Sequence, residues 1–171
     1  KDSNGNTPLY LAAMNGNTRL VQTILEKASS HNLLADYSNP QASPILSKED
    51  LLNLSNNAGA TPLHAAAASN QISTMDYLIS RGANLNAISH AGWNAVDYAI
   101  HNNHVNAVRF LTGRGQQSRL GLPTGGTLAH YLVQHGRAEI LSYFIENGVG
   151  LTIKDSNGNT PLYLAAMNGN T

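Results

Sequence analysis

With 171 residues, of which 42% are hydrophobic and 12% charged, the chain has apolar material for one elongated domain, and ten basic residues balance ten acidic ones. That balance leaves no broad positive field for nucleic acid or an anionic membrane, and no apolar run approaches the ~20 residues that cross a bilayer. The absence of cysteine excludes disulfides and thiolate metal sites.

Residues Lys1 to Thr18 (KDSNGNTPLYLAAMNGNT) return letter for letter as Lys154 to Thr171, 153 residues further on. Between the copies a weaker echo recurs, in Thr61-Pro62-Leu63-His64, Asn94-Ala95-Val96-Asp97 and Thr127-Leu128-Ala129-His130, each opening an apolar run as Thr7-Pro8-Leu9-Tyr10 and Thr160-Pro161-Leu162-Tyr163 do. The fourth residues fall at 10, 64, 97, 130 and 163, so three spacings are 33 and the first, 54, is 33 with 21 residues inserted. A fixed period of that size marks a repeat architecture. A glycine stands two residues before each opening position (Gly5, Gly59, Gly92, Gly125 and Gly158), as a tight turn with positive φ requires.

Each unit reads as two short helices. In the second unit Thr61 can cap a first helix that begins at Pro62, where a missing N–H costs nothing, and runs through Leu63, Ala65, Ala66 and Ala67 to stop at Asn70. A second helix places Ile72, Met75, Leu78 and Ile79 on one face and ends at Arg81-Gly82. The same places hold Leu20, Val21, Ile24 and Leu25 in unit one, Val105, Val108 and Leu111 in unit three, and Ile140, Leu141, Phe144 and Ile145 in unit four. Alanines let neighbouring first helices approach closely. Neither helix can bury its face alone, so the units are expected to stack, each completing the core of the next.

The insertion falls after the second helix of unit one. Ser29 to Pro44 is rich in Ser, Asn and Pro and reads as loop, whereas Ser47-Lys48-Glu49-Asp50 reads as a capped helix start leading into Leu51, Leu52 and Leu54. A short helix is expected over 48–54. Its leucines either pack back onto unit one or two, or the segment forms a lip of a binding groove.

Through Asn57-Ala58-Gly59-Ala60-Thr61-Pro62-Leu63-His64-Ala65-Ala66 and Arg81-Gly82-Ala83-Asn84-Leu85-Asn86 the chain resembles the ankyrin-repeat family. The resemblance covers almost all of the chain, although unit three (Asn94-Ala95-Val96-Asp97) and unit four (Leu128-Ala129 for Pro-Leu) depart from the pattern. It implies an all-α solenoid of helix–turn–helix units with hairpin-like finger loops. The expected divisions are repeat 1 at 1–28, an insertion at 29–55, repeat 2 at 56–88, repeat 3 at 89–121, repeat 4 at 122–154 and a partial repeat 5 at 155–171. It further implies a protein partner held on the concave face made by the fingers and first helices, no catalysis, no cofactor, and a cytoplasmic location, or a host cytosol if the parent protein is a secreted bacterial effector.

Carried onto this chain, the family's variable finger and helix-end positions include Asn57, Ser69, His90, Trp93, His101, Asn102, Gln134 and His135. The richest patch is in units three and four, where Trp93, His90, His101, Gln134 and His135 combine a large ring with polar edges, the mix that anchors protein interfaces. The alternative for Trp93 is a structural one, flat over the next finger. His101 and His104 lie three apart and would share a helix face, but no cysteine or acidic neighbour completes a metal site. His64 and His130 occupy a slot where imidazole ties neighbouring turns together in the family, and Asp97 takes that slot in unit three. Asp97 with His101 or His130 could be drawn as an acid–base pair, yet no nucleophile sits at a recognisable elbow, and Gly121 to Gly126 lacks the lysine and strand of a phosphate loop.

Identity between the two ends extends through Ser3/Ser156, Asn6/Asn159 and Met14/Met167, positions where other units differ freely, so a copying event rather than packing explains it. Two functions follow: recognition of a partner in the groove of units three and four, alone or as the recognition part of a larger protein with catalysis elsewhere, or end-to-end self-association of stacked copies in a structural array, natural or engineered. A longer array with a 153-residue superperiod would continue past Thr171 with a copy of Arg19 to Leu25.

Overall fold

A computed structural model describes residues 1–31, 47–121 and 125–169, so the expected loop beyond residue 31 lies outside the described residues. The elements are α1 (Pro8–Met14), α2 (Thr18–His31), α3 (Lys48–Asn53), α4 (Pro62–Ala68), α5 (Ile72–Ser80), α6 (Ala95–His101), α7 (Val105–Thr112), α8 (Leu128–Gln134), α9 (Ala138–Glu146) and α10 (Pro161–Met167). Apart from α3 they alternate as first and second helices of successive pairs. The first helices α1, α4 and α6 pack in a row, the second helices α2, α5, α7 and α9 form a parallel row behind them, and α10 packs on α8.

Short local bonds explain why each unit takes the same shape. Asp2 and Asn56 open their fingers with a side-chain oxygen that accepts two backbone N–H groups, from Asn4 and Asn6 and from Ala58 and Ala60. Fingers are closed across their bases by Asp2 N donating to Asn6 O at 3.0 Å, Asn56 N to Ala60 O at 3.0 Å, Ser89 N to Trp93 O at 2.9 Å and Asp155 N to Asn159 O at 2.9 Å. Gly59, at φ +75°, makes that three-residue turn possible, and a Cβ there would sit 2.8 Å from the backbone nitrogen of His90 on the next finger. The close approach carries a bond, since His90 N donates to Ala58 O at 2.9 Å, just as Asn57 N donates to Asn4 O at 3.0 Å. Between paired helices the chain turns through one left-handed residue, Gly16, Asn70, Asn103 or Gly136, and Gly169 takes the same conformation after α10; asparagine serves because it tolerates that conformation better than other side chains.

A continuous apolar core runs between the two rows, through Leu9, Val21 and Leu25, then Leu63, Met75 and Leu78, then Ile100, Val108 and Leu111, and on to Leu132, Ile140 and Phe144. Alanines at 12, 13, 66, 67, 95 and 99 lie buried among them. They set the close spacing of α1, α4 and α6. The short helix α3 is closed by a reciprocal bond between Ser47 and Asp50, buries Leu52 and packs back on α2, with Asn53 Oδ1 accepting from Asn84 N at 2.7 Å. This described part of the insertion therefore sits with the second helices, away from the row of first helices.

Candidate functional site

The residue four positions into each opening motif fixes how a first helix meets the following finger. His64 Nδ1 accepts from the backbone N–H of Thr61 at 3.0 Å, which leaves Nε2 to carry the proton and donate to Ala87 O at 3.1 Å. His130 repeats the arrangement with Thr127 N at 3.1 Å and Asn159 O at 3.0 Å. The hydroxyls of Thr61 and Thr127 turn to the same ring nitrogens, whereas those of Thr7 and Thr160 accept from the N–H of Tyr10 and Tyr163. Asp97 does the work of the imidazole with two oxygens: Oδ2 accepts from Asn94 N, and Oδ1 accepts from Ser118 Oγ at 2.7 Å and Arg119 N at 2.9 Å. These buried groups are committed to the scaffold, and burial drives the pKa of His64 down from 6.5 to about 4.

A row of rings forms on the side of the fingers and first helices. Tyr98 meets His64 edge-on with centroids 5.1 Å apart, the half-buried Trp93 meets Tyr98 at 5.5 Å, and Trp93 tilts over His101 at 4.9 Å. The Tyr131 hydroxyl lies 3.0 Å from His101 Nδ1, and His135 stacks on Tyr131 at 4.0 Å while its Nδ1 donates to Tyr131 O. Neighbouring rings thus bridge α6 and α8. Partial burial first, then the Arg137 cation, whose guanidinium donates to His101 O, lowers the His101 pKa. Burial raises that of Tyr131.

Of the residues selected from the sequence, Trp93, His101 and His135 come together in this row, and Trp93 packs against its own first helix. Asn102 and Gln134 are exposed at the ends of α6 and α8, and Asn102 Nδ2 caps Tyr98 O at 2.8 Å. His90 is exposed on its finger; Asn57 is exposed too, but its amide is tied to Ser3 O at 3.2 Å. Ser69 is half-buried at the end of α4 and stands apart from the rings. Sequence reasoning passed over Tyr98 and Tyr131, which hold the row together. Their signal was a tyrosine directly after the slot residue, where the second unit has Ala65.

A second depression on the same side is lined by Asn4, Asn6, Tyr10, Met14, Asn56, Asn57 and Ala58, so amides surround a tyrosine and a methionine. His104 does not join His101: its Nε2 donates to Ala68 O of the preceding pair at 3.0 Å. Among the described residues no group of three His, Cys, Asp or Glu side chains is placed to hold a metal, and no helix is long and apolar enough to cross a membrane.

Stacked helix pairs joined by hydrogen-bonded fingers define a solenoid class, and comparison with protein families places the chain within it. The family profile for ankyrin repeats in three copies matches residues 33–120 and 114–171, and that for a single ankyrin repeat matches residues 4–36. The chain belongs to the ankyrin-repeat family, whose members are generally protein–protein interaction modules and typically non-catalytic. A comparison with curated proteins finds no match.

Proposed function

We propose that this protein is a non-catalytic recognition module that takes a protein partner on the face formed by its fingers and first helices. Trp93, His101 and His135 act as anchors, and His90, Asn102 and Gln134 form the polar rim. The observation that carries this reading is the row of rings from Trp93 through His101 and Tyr131 to His135, which bridges two helix pairs, with the buried Tyr131 holding the exposed rings of His101 and His135 in place. Ordered rings lose little entropy on binding, and their polar edges give direction to a contact. The absence of net charge favours a partner segment recognised by apolar and amide groups over a highly charged one. Asn57 adds a contact beside Tyr10 and Met14, and Ser69 a lesser one between the two patches.

Trp93 is the sole tryptophan, so its emission reports directly on this surface. Peptides selected for binding from a displayed library are expected to shift that emission, and Trp93→Ala to weaken the best of them about 30-fold, equivalent to the ~2 kcal/mol of an interface hot spot. Selected peptides that bind equally well to Trp93→Ala and His101→Ala proteins, both folded by circular dichroism, would place recognition elsewhere.

A further inference from the structure

The fingers and first helices of units two, three and four expose one kind of acid or base. Across 56–70, 89–103 and 125–136 there is no lysine, arginine or glutamate, and apart from tyrosine the ionisable side chains are His64, His90, Asp97, His101, His130 and His135. His64, Asp97 and His130 are buried and tied into the scaffold, whereas His90, His101 and His135 are exposed. The remaining formal charge lies on the second helices and their ends, on the insertion and loops, and on the fingers of the repeated segment. This face runs along the stack, so a unit added at either end would lengthen it and leave it open.

The three exposed imidazoles have neighbours that fix them and none that would neutralise them as cations. His135 Nδ1 gives its proton to Tyr131 O, so Nε2 of the neutral ring is an acceptor. His101 meets the Tyr131 hydroxyl through Nδ1 and Trp93 through its ring. His90 lies over the preceding finger, where a Cβ on Gly59 would stand 2.7 Å from its Cδ2. The charged groups at hand are cationic: the Arg137 guanidinium donates to His101 O, and Arg119 Nε donates to Gly92 O on the finger of His90. Beneath the row the Asp97 carboxylate is fully buried and already accepts from Asn94, Ser118 and Arg119. Burial and then Arg137 hold the His101 pKa below its ordinary value, the direction expected where a cation would gain no partner.

We propose that this face holds an uncharged polypeptide segment, rich in apolar and amide groups, while His90, His101 and His135 are neutral, and releases it when acid protonates them. The inference rests on the recognition role of the same face and adds its regulation. Protonation acts twice. Nε2 of His135 changes from acceptor to donor and loses any N–H that the segment gives it, and rings that were covered at no electrostatic expense must now be covered as cations. With no exposed carboxylate among them to share the new charge, the rings repel one another and the two guanidiniums as well.

The probe is a peptide with blocked ends, selected at neutral pH from a library without Asp, Glu, Lys, Arg or His, so that it does not itself titrate. Its affinity, read from Trp93 emission, is expected to fall at least about 10-fold between about pH 7.5 and 5.5, the loss for one imidazole of pKa near 6.5 that must stay neutral. In the His90→Gln/His101→Gln/His135→Gln protein the affinity, whatever its value near neutrality, should stay level across that range. His64 weakens the fold in part of the same window and is present in both proteins, so a fall that persists in the variant would trace to the scaffold and refute the proposal. The peptide-free chain gives a second reading: quenching of Trp93 by iodide relative to acrylamide should rise about 2-fold or more as the face gains positive charge, and stay level in the variant. A peptide that binds through Trp93 equally well at both pH values, or iodide quenching that ignores pH, would overturn the proposal. Failure to select any peptide whose binding needs Trp93 would instead refute the recognition reading, and this one with it.

Discussion

The joint between α4 and α6 and the joint between α6 and α8 are made from the same motif, yet the helices of the first lie close and those of the second stand farther apart. Two residues after the slot position the chain has Ala66 and Ala99 at the first joint but Leu132 at the second, with Tyr131 alongside. The finger bond differs as well. His90 N donates to Ala58 O across the first joint, whereas the corresponding residue of the next finger is Pro123, outside the described residues, which has no N–H to give. Long side chains bridge the wider joint instead: His101 with Tyr131, Arg137 to His101 O, and Thr112 Oγ1 at 2.6 Å from the Tyr143 hydroxyl. A single repeat can therefore be joined by backbone proximity or by side-chain reach, and the second choice is what puts rings and imidazoles on the surface.

Removing the bulk at the wide joint should have the largest effect. Leu132 is fully buried, and Leu132→Ala leaves a cavity that α8 cannot close without moving its other large side chains, so a loss of about 2–5 kcal/mol is expected from urea midpoints. A loss below the value typical of a surface substitution would mean the joint is plastic.

Acid should act next, and on the close joint. Because burial depresses the pKa of His64 in the folded state, the unfolded chain holds the proton more tightly, and protonation favours unfolding. The stability carried by the neutral ring is complete above about pH 6.5 and declines as the pH falls toward about 4, a total on the order of 3 kcal/mol. Urea unfolding of the native chain and of His64→Gln should show an advantage for histidine at pH 7 that shrinks across this window. A constant difference between the two proteins would refute the assignment.

The smallest of the three effects is the reciprocal swap. Ala99→Leu puts the bulk of the wide joint into the close one, and overpacking should cost about 1–3 kcal/mol. Amide exchange should quicken mainly at the bonds of His90 and His64 that cross the joint, while faster exchange confined to α8 and α9 would contradict the comparison.

Much of this was legible in advance because it is local. The period, the finger glycines, the Pro starts and the two helices per unit all depend on bonds that span a few residues, and the helix at Lys48–Asn53 was announced by its Ser47 and Asp50. The ring row was only half legible. Trp93, His101 and His135 stand out by chemistry, but Tyr98 and Tyr131 gain their roles from neighbours on another helix, as when the Tyr131 hydroxyl reaches His101, thirty residues earlier. The unequal joints were hidden for the same reason: a leucine in place of an alanine reads as ordinary apolar patterning until another helix has to pack against it.

The duplicated segment separates the two kinds of information. Its eighteen residues by themselves determined an Asp-organised finger, a Thr-capped helix from Pro8 or Pro161 and a left-handed glycine turn, the same at both ends, since each depends on groups within about four residues of one another. Which face of that helix lies in the core was decided by the stack, because burial depends on what stands alongside: α4 covers Leu9, and no described neighbour covers Leu162.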